Sequence, residues 1–272
     1  PVFFDIHSHL NDASFNDDRR EAILRLQDKN TWTITVGVDK KMSQKACEMT
    51  LLADGLFASV GMHPTDNMKE NFSSDFYRGL AEKYPKVVAI GECGLDYFRI
   101  PLEKIESEKK RQKELFEKHI ELAIGLDKPL MIHCRSSLSG RDGNAYQDII
   151  EILVSKKREY GEKLRGNIHF FADSVETAKK YFELDFTISF TGVITFTTQY
   201  NDVVAYAPLR KILSETDAPY VAPVPYRGKR CEPIYVEKVV KKIAEIRAES
   251  PEAVQNILVD NAFRVFNIKS KQ

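Results

Sequence analysis

The sequence lacks an excess of charge of either sign. Its 40 lysine and arginine residues balance 40 aspartate and glutamate residues, so the formal net charge at pH 7 is zero. This balance excludes the class of proteins that coat nucleic acid through bulk positive charge. Any contact with nucleic acid must therefore come from a local basic patch or from bound metal ions.

Cysteine and long apolar runs are also scarce. The chain has four cysteines, and no two of them form a CxxC pair, so we predict buried, reduced thiols rather than disulfides or a zinc finger. No apolar run approaches the length of a membrane span, and the first residues enter a strand-like pattern without a basic and then apolar leader. We therefore expect a cytoplasmic enzyme that does not associate with a membrane, and we expect a monomer.

Short β-rich runs alternate with longer amphipathic runs along the chain. Eight runs have the pattern of strands, at residues 2–6, 32–36, 57–61, 87–90, 130–134, 167–171, 186–190 and 212–216. Eight such units in 272 residues, with helical patterns between most of them, predict an α/β fold, a closed (β/α)8 TIM barrel. Neither G-x-G-x-x-G nor G-x-x-x-x-G-K-[ST] occurs, which argues against a nucleotide-binding fold. We expect one domain over residues 1–272.

Imidazole and carboxylate side chains recur where the predicted strands end, which is where barrel enzymes place their catalytic groups. Six side chains occupy such positions: His7, His9, Glu92, His133, His169 and Asp217. His7 and His9 are two residues apart, so both imidazoles point to the same face of the first strand. This ligand set suits zinc, manganese, magnesium, cobalt or iron, and six ligands exceed what one tetrahedral zinc needs. We therefore predict two divalent metal ions that share a bridging carboxylate.

Each of these residues has an ordinary structural explanation when it is taken alone. A strand histidine is more often hydrogen-bonded in a core than bound to metal, Asp217 could cap a helix, and Glu92 could belong to a buried ion pair. The joint pattern decides between the two interpretations. Four of the six histidines fall at the predicted ends of three strands, and this arrangement favours a metal centre.

Several sequence motifs carry a resemblance to a known family. They are DIHSHL at 5–10, VGMHP at 60–64, IGECGLDY at 90–97, PLMIHCR at 129–135, ETDAPY at 215–220 and RGKRCEP at 227–233. In this order, and over nearly the whole chain, they resemble the TatD-type metal-dependent deoxyribonucleases of the amidohydrolase superfamily.

The resemblance implies a role for each of the six candidate ligands. The two histidines of the first motif would bind one ion, and the histidines of the fifth and sixth strands would bind the other. Glu92 would bridge the two ions, and Asp217 would complete the first site and act as the catalytic base. The implied activity is hydrolysis of phosphodiester bonds in DNA by a water that both ions activate, as a 3′-to-5′ exonuclease on single strands.

Substrate contacts are expected from five further residues: His63, Tyr97, Arg135, Lys229 and Arg230. The resemblance implies that His63 contacts a phosphate. Arg135, or the Lys229–Arg230 pair on the predicted rim of the site, would neutralise charge that develops on the phosphoryl oxygens. Tyr97 would stack on a base of a single strand.

The sequence departs from the family pattern at three places beside the site. The sixth-strand motif reads HFFAD at 169–173, where HCFSG is common. Ser136 and Ser137 follow Arg135 in place of an acidic residue and alanine, and Cys231 stands where asparagine is usual. These departures bear on substrate contacts and leave all six candidate metal ligands in place.

Two other functions remain open from the sequence. A related amidohydrolase would act on an amide, a lactone or a small phosphoester, and many such enzymes bridge their metals with a carbamylated lysine. The fourth strand offers Glu92 instead, which favours the nuclease. A catalytically silent barrel would serve as a binding protein, and the six intact candidate ligands argue against it.

Overall fold

The computed structural model describes residues 1–65, 70–137 and 143–269. Eight parallel strands form one sheet in the order of the sequence. They are β1 (Phe3–Ser8), β2 (Thr31–Val36), β3 (Leu56–Val60), β4 (Val87–Asp96), β5 (Leu130–Arg135), β6 (Gly166–Ile168), β7 (Thr187–Phe190) and β8 (Ile212–Ser214). The predicted (β/α)8 barrel is thereby confirmed.

Helices connect the strands and pack on the outside of the sheet. They are α1 (Arg19–Asp28), α2 (Lys40–Met49), α3 (Ser74–Lys83), α4 (Ile105–Gly125), α5 (Ala145–Tyr160), α6 (Val175–Glu183), α7 (Asn201–Tyr206), α8 (Val236–Arg247) and α9 (Pro251–Val265). Polar side chains cap several of them; for example, Asp39 accepts from the backbone N–H of Met42 at the start of α2. Within the described part, none of the helices combines the length and the apolar character that a membrane crossing requires.

The first and last strands meet at a seam that closes the barrel. Ser8 forms a parallel bridge with Ala218, and the backbone N–H of Asp217 donates to the carbonyl of His7 at 2.9 Å. Asp5 lies beneath this seam and accepts from both the backbone N–H and the hydroxyl of Thr216, at 2.9 and 2.7 Å. The two ends of the sequence are therefore joined directly below the residues that carry the candidate ligands.

Strand β4 is longer than the sequence pattern predicts. The prediction ended it at residue 90, whereas the strand continues through Gly91 and Gly94 to Asp96. Both glycines have positive φ angles, 148° and 140°. A Cβ on Gly91 would lie 2.2 Å from the carbonyl oxygen of Met131, and one on Gly94 would lie 2.0 Å from that of His133. Only glycine at these two positions therefore allows β4 to pair this closely with β5. Glu92, which lies between the two glycines in the sequence, is thereby held within the strand.

The other differences are small. The predicted strands at 167–171 and 212–216 end earlier, at Ile168 and Ser214, so His169 follows its strand directly and Asp217 lies three residues beyond its strand. The short helix α7 lies between β7 and β8, where the sequence analysis identified no helix. Its six residues are too few to show a helical period.

Candidate metal centre

The candidate ligands meet in a cavity at the carboxyl ends of the strands. The cavity has a volume of about 1000 Å³, and five of the six predicted ligands line it: His9, Glu92, His133, His169 and Asp217. His7 lies just below them and is fully buried. Its ring is parallel to that of His169, with the two centroids 3.7 Å apart. The structure thus brings together all six side chains that the sequence analysis selected.

The first donor cluster consists of four side chains from three parts of the barrel. Nε2 of His7 lies 3.3 Å from Nε2 of His9 and 3.4 Å from Oε2 of Glu92. Oδ1 of Asp217 lies 3.3 Å from Nε2 of His9 and 3.6 Å from Nε2 of His7. Tetrahedral ligands about 2.1 Å from a metal ion are separated by about 3.4 Å, so this spacing fits a four-coordinate ion.

The second donor cluster forms around the other oxygen of the same glutamate. Oε1 of Glu92 lies 2.9 Å from Nδ1 of His133 and 3.0 Å from Nε2 of His169. Nε2 of His63 lies 3.6 Å from the same oxygen. His63, expected only as a phosphate contact, therefore also borders the second cluster. Each oxygen of Glu92 faces a different set of donors, as a bridging carboxylate would.

Hydrogen bonds to carboxylates orient the two histidines of the second cluster. Oδ2 of Asp96 accepts from Nε2 of His133 at 2.8 Å, and Oε1 of Glu215 accepts from Nδ1 of His169 at 3.1 Å. Such partners fix the tautomer of a ligand histidine and turn its other nitrogen towards the metal. The sequence analysis gave no role to Asp96 or Glu215, although both lie inside the quoted motifs IGECGLDY and ETDAPY. An acidic residue beside a strand-end ligand was the signal that could have identified them.

A third histidine of the two clusters, His9, is held by a hydrogen bond to the backbone. Nδ1 of His9 lies 3.3 Å from the carbonyl oxygen of Val36, which leaves Nε2 to face the cavity. Nδ1 of His7 is buried and has no hydrogen-bond partner among the described residues. The donor atoms that point into the two clusters therefore come from rings whose rotation is restricted by packing and hydrogen bonds.

Carboxylates and histidines of opposite charge lie close together at the floor of the cavity. Burial opposes ionisation of Glu92, but the nearby His169 and His7 outweigh it and hold the pKa of the carboxyl well below its usual range. Burial disfavours the charged form of His133, but hydrogen bonds to Asp96 and Glu92 raise its pKa to about 9. Burial also opposes ionisation of Asp217, and its hydrogen bond with His9 lowers its pKa overall. The carboxylates are thus anionic at neutral pH, as metal ligands must be.

Of the predicted substrate contacts, Arg135 lies where it was expected. It is exposed at the end of β5, lines the cavity, and places its guanidinium 3.5 Å from the ring centroid of Phe98. Tyr97 is fully buried, and its hydroxyl donates to Asp148 at 2.7 Å. Its ring has no face open to a base, so the prediction for Tyr97 is wrong. Phe98, the next residue, lines the cavity instead.

The predicted Lys229–Arg230 contact is also not where the substrate would bind. The guanidinium of Arg230 forms two hydrogen bonds with the carboxylate of Asp18, at 2.6 and 2.7 Å, and a third with Glu232. Lys229 is exposed, and neither residue lines the cavity. Arg230 therefore joins the β8–α8 connection to the start of α1, which corrects its assignment as a substrate contact, and the role of Lys229 stays a prediction.

The unusual residues of the motifs have structural roles. The hydroxyl of Ser136 accepts from the backbone N–H of Ala145 at the start of α5, at 3.0 Å. Cys231 is buried in a small apolar cluster with Leu10 and Ala218. Phe170 lines the cavity beside His169, while Asp173 does not. The acidic change in the sixth-strand motif thus lies away from the donor clusters.

A (β/α)8 barrel with histidine and carboxylate donors at the carboxyl ends of its strands defines the class of metal-dependent hydrolases. The family model described as TatD related DNase matches residues 4–267, and the chain belongs to this family.

Curated and solved relatives agree with this assignment. The chain is 35% identical over 270 residues to the uncharacterized metal-dependent hydrolase YabD of Bacillus subtilis, covering 98% of this chain and 100% of YabD. It is 36% identical over 221 residues to the uncharacterized metal-dependent hydrolase YcfH of Escherichia coli K12, covering 80% and 77% of the two chains. The crystal structure of YJJV, a TatD homologue from E. coli K12, superposes with a TM-score of 0.85 at 25% identity, over 98% of this chain and 99% of that one. The protein is a TatD-family metal-dependent hydrolase.

Proposed function

We propose that this enzyme hydrolyses phosphodiester bonds of DNA with two divalent metal ions, held by His7, His9, Glu92, His133, His169 and Asp217. One observation carries the proposal: the two oxygens of Glu92 face separate donor clusters, so one carboxylate can serve both ions. When bound, such ions lower the pKa of water and neutralise charge on phosphoryl oxygens. Zinc, manganese, cobalt and iron suit the mixed nitrogen and oxygen donors, and magnesium suits the carboxylates.

The side chains of this chain divide the remaining tasks between them. Asp217 is ionised and lines the cavity, so it can accept a proton from the attacking water. His63 borders the second cluster and can donate to a phosphoryl oxygen from Nε2. Arg135 lies at the rim, where its fixed positive charge would attract the phosphate backbone.

The shape of the cavity supports a single-stranded substrate. The donor atoms lie at its floor, and Glu92 and His169 are each only 3% exposed. A flexible strand can bring a phosphodiester to buried donors, whereas a rigid duplex would be stopped at the rim by its second strand. We therefore propose a single-stranded DNA substrate, and from the family resemblance we propose that it is shortened by 3′-to-5′ exonuclease activity.

The test begins with chelator-treated protein to which single metal ions are returned. Cleavage of a 5′-labelled single-stranded oligonucleotide is compared with cleavage of a duplex, a 3′-labelled strand, and a panel of amides and lactones. The proposal predicts metal-dependent shortening of the single strand from its 3′ end. Turnover that persists in the stripped protein, or that is confined to amides or lactones, would refute it.

Glu92→Gln tests the bridging carboxylate directly. This variant should lose activity by at least about a thousandfold, because it removes the anionic oxygens from both clusters, and elemental analysis should show fewer ions per chain. Glu183→Gln is the matched control, since Glu183 is exposed at the end of α6, before β7, on the opposite face of the barrel. Circular dichroism of both variants reports whether the fold is intact.

A further inference from the structure

One wall of the cavity is formed by the connection between β4 and α4. Phe98, Arg99, Ile100, Pro101 and Lys104 of this connection all line the cavity. Arg135, at the end of the neighbouring strand β5, lies on the same wall. Two guanidinium groups lie near the ring of Phe98, that of Arg135 at 3.5 Å and that of Arg99 at 5.4 Å from the ring centroid.

The cations of this wall form no ion pair within the described part of the chain. Among residues 1–65, 70–137 and 143–269, none of Arg99, Lys104 and Arg135 forms an ion pair with a carboxylate. Nearby cations outside the wall behave differently, since Arg111 pairs with Glu108 at 2.9 Å and Lys113 pairs with Asp148 at 2.9 Å. The chain has no net charge, so three uncompensated cations beside the donor clusters form a local basic patch.

An aromatic ring beside uncompensated cations matches the chemistry of a single strand. Bases stack on aromatic rings and on arginine guanidinium planes, whatever their sequence, and the charges of the backbone meet lysine and arginine. A charged patch alone could attract any anion. The ring of Phe98 and its contact with Arg135 add a surface for a base within the same cavity that holds the donor clusters.

We propose that Phe98, Arg99, Lys104 and Arg135 form a nucleotide subsite next to the scissile phosphodiester. A base stacks against the Phe98–Arg135 pair, and the adjoining phosphates contact Arg99 and Lys104. The subsite rests on the proposed function, because it supplies the substrate path to the donor clusters. It also replaces the Lys229–Arg230 pair as the basic element of substrate binding.

The test compares KM for a single-stranded oligonucleotide with KM for methyl p-nitrophenyl phosphate, a diester too short to reach from the metal centre to the subsite. Phe98→Ala should raise the ratio of the two KM values about tenfold, within the range measured for loss of one stacked base. Phe98→Trp should restore the ratio, because an indole offers a larger stacking surface. Lys110→Ala is the matched charge control, since the Lys110 side chain on α4 is 79% exposed.

Salt dependence tests the cations separately. The slope of log KM for the oligonucleotide against log salt concentration should fall by about 0.7 for each of Arg99→Ala and Lys104→Ala, the value for one phosphate contact on a single strand. An unchanged KM ratio in Phe98→Ala together with unchanged salt slopes would overturn the subsite.

Failure of the proposed function has a different signature. In that case wild-type protein with metal would cleave neither diester. Binding of a fluorescein-labelled oligothymidylate, followed by anisotropy, then tests the subsite by itself. Tighter binding to wild type than to Phe98→Ala and Arg135→Ala supports the subsite, and equal affinity overturns it.

Discussion

His119 on α4 is the one histidine of the six that neither belongs to a donor cluster nor borders one, and its surroundings allow a quantitative prediction. Nε2 of His119 accepts from the backbone N–H of Met62 at 2.9 Å, so Nδ1 carries the proton and donates to the carbonyl of Leu115 at 2.8 Å. Met62 immediately precedes His63, so this buried imidazole fixes the connection that delivers His63 to the second cluster. Burial lowers the pKa of His119 to about 4.

This shift predicts a defined loss of stability in acid. The folded protein holds His119 neutral, whereas the unfolded chain protonates it below its ordinary pKa of about 6.5. The stability that the protein gains by keeping His119 neutral is fully present above pH 6.5. It decreases as the pH falls and is lost near the folded-state pKa of about 4. At about 1.4 kcal/mol per pH unit, the free energy of unfolding should lose about 2 kcal/mol between about pH 6.5 and about pH 5 through this residue alone.

The assay is urea unfolding of wild type and of His119→Gln, both with chelator, at about pH 7.5 and about pH 5. Glutamine can still accept from Met62 and donate to Leu115, but it does not titrate. At the higher pH we expect the variant to be less stable by about 1–3 kcal/mol, since the amide fits the cavity of the ring imperfectly. The difference should shrink by about 2 kcal/mol at the lower pH, because the other titrating groups are common to both proteins. A difference that does not change with pH would refute the reasoning.

Three further predictions concern the metal centre and its surroundings. Asp96→Asn should weaken metal binding about 10- to 100-fold in chelator competition, because His133 loses the carboxylate that orients it; unaltered affinity would contradict this role. Metal added to stripped protein at about pH 7.5 should release protons, since His133, with a pKa of about 9, must become neutral to bind. Calorimetry in buffers of different ionisation enthalpy measures the release, and identical heats would exclude it. Arg230→Ala should lower the free energy of unfolding by about 1 kcal/mol, because the variant loses the partly exposed ion pair with Asp18. A higher KM for the oligonucleotide with unchanged stability would instead show that Arg230 contacts the substrate.

The fold and the donor residues could be predicted because both depend on strand ends. Alternating runs fix where strands end, and a barrel brings all those ends to one face. His7, His133 and His169 are far apart in sequence, yet this rule alone places them in one cavity. Glu92 was selected because the pattern of the fourth strand ended just before it, at residue 90, although the strand itself continues to Asp96.

Other features depended on orientation, which a sequence does not reveal. Tyr97 and Phe98 are adjacent aromatic residues, and only the twist of the chain after β4 decides which of them faces the cavity. Arg230 follows the last strand on the expected rim, but Asp18 at the start of α1 captures its guanidinium. Such pairings join segments that are far apart in the sequence, so no local pattern signals them.

The seam between β1 and β8 has a consequence for when each donor cluster can form. The donor atoms of the second cluster all belong to residues up to His169, and Glu215, which orients the His169 ring, follows them in the sequence. The first cluster needs His7 and His9 together with Asp217, which come from opposite ends of the sequence and meet only when the ring is joined. The first cluster is therefore complete only in a closed barrel, so an ion bound there would stabilise that closure.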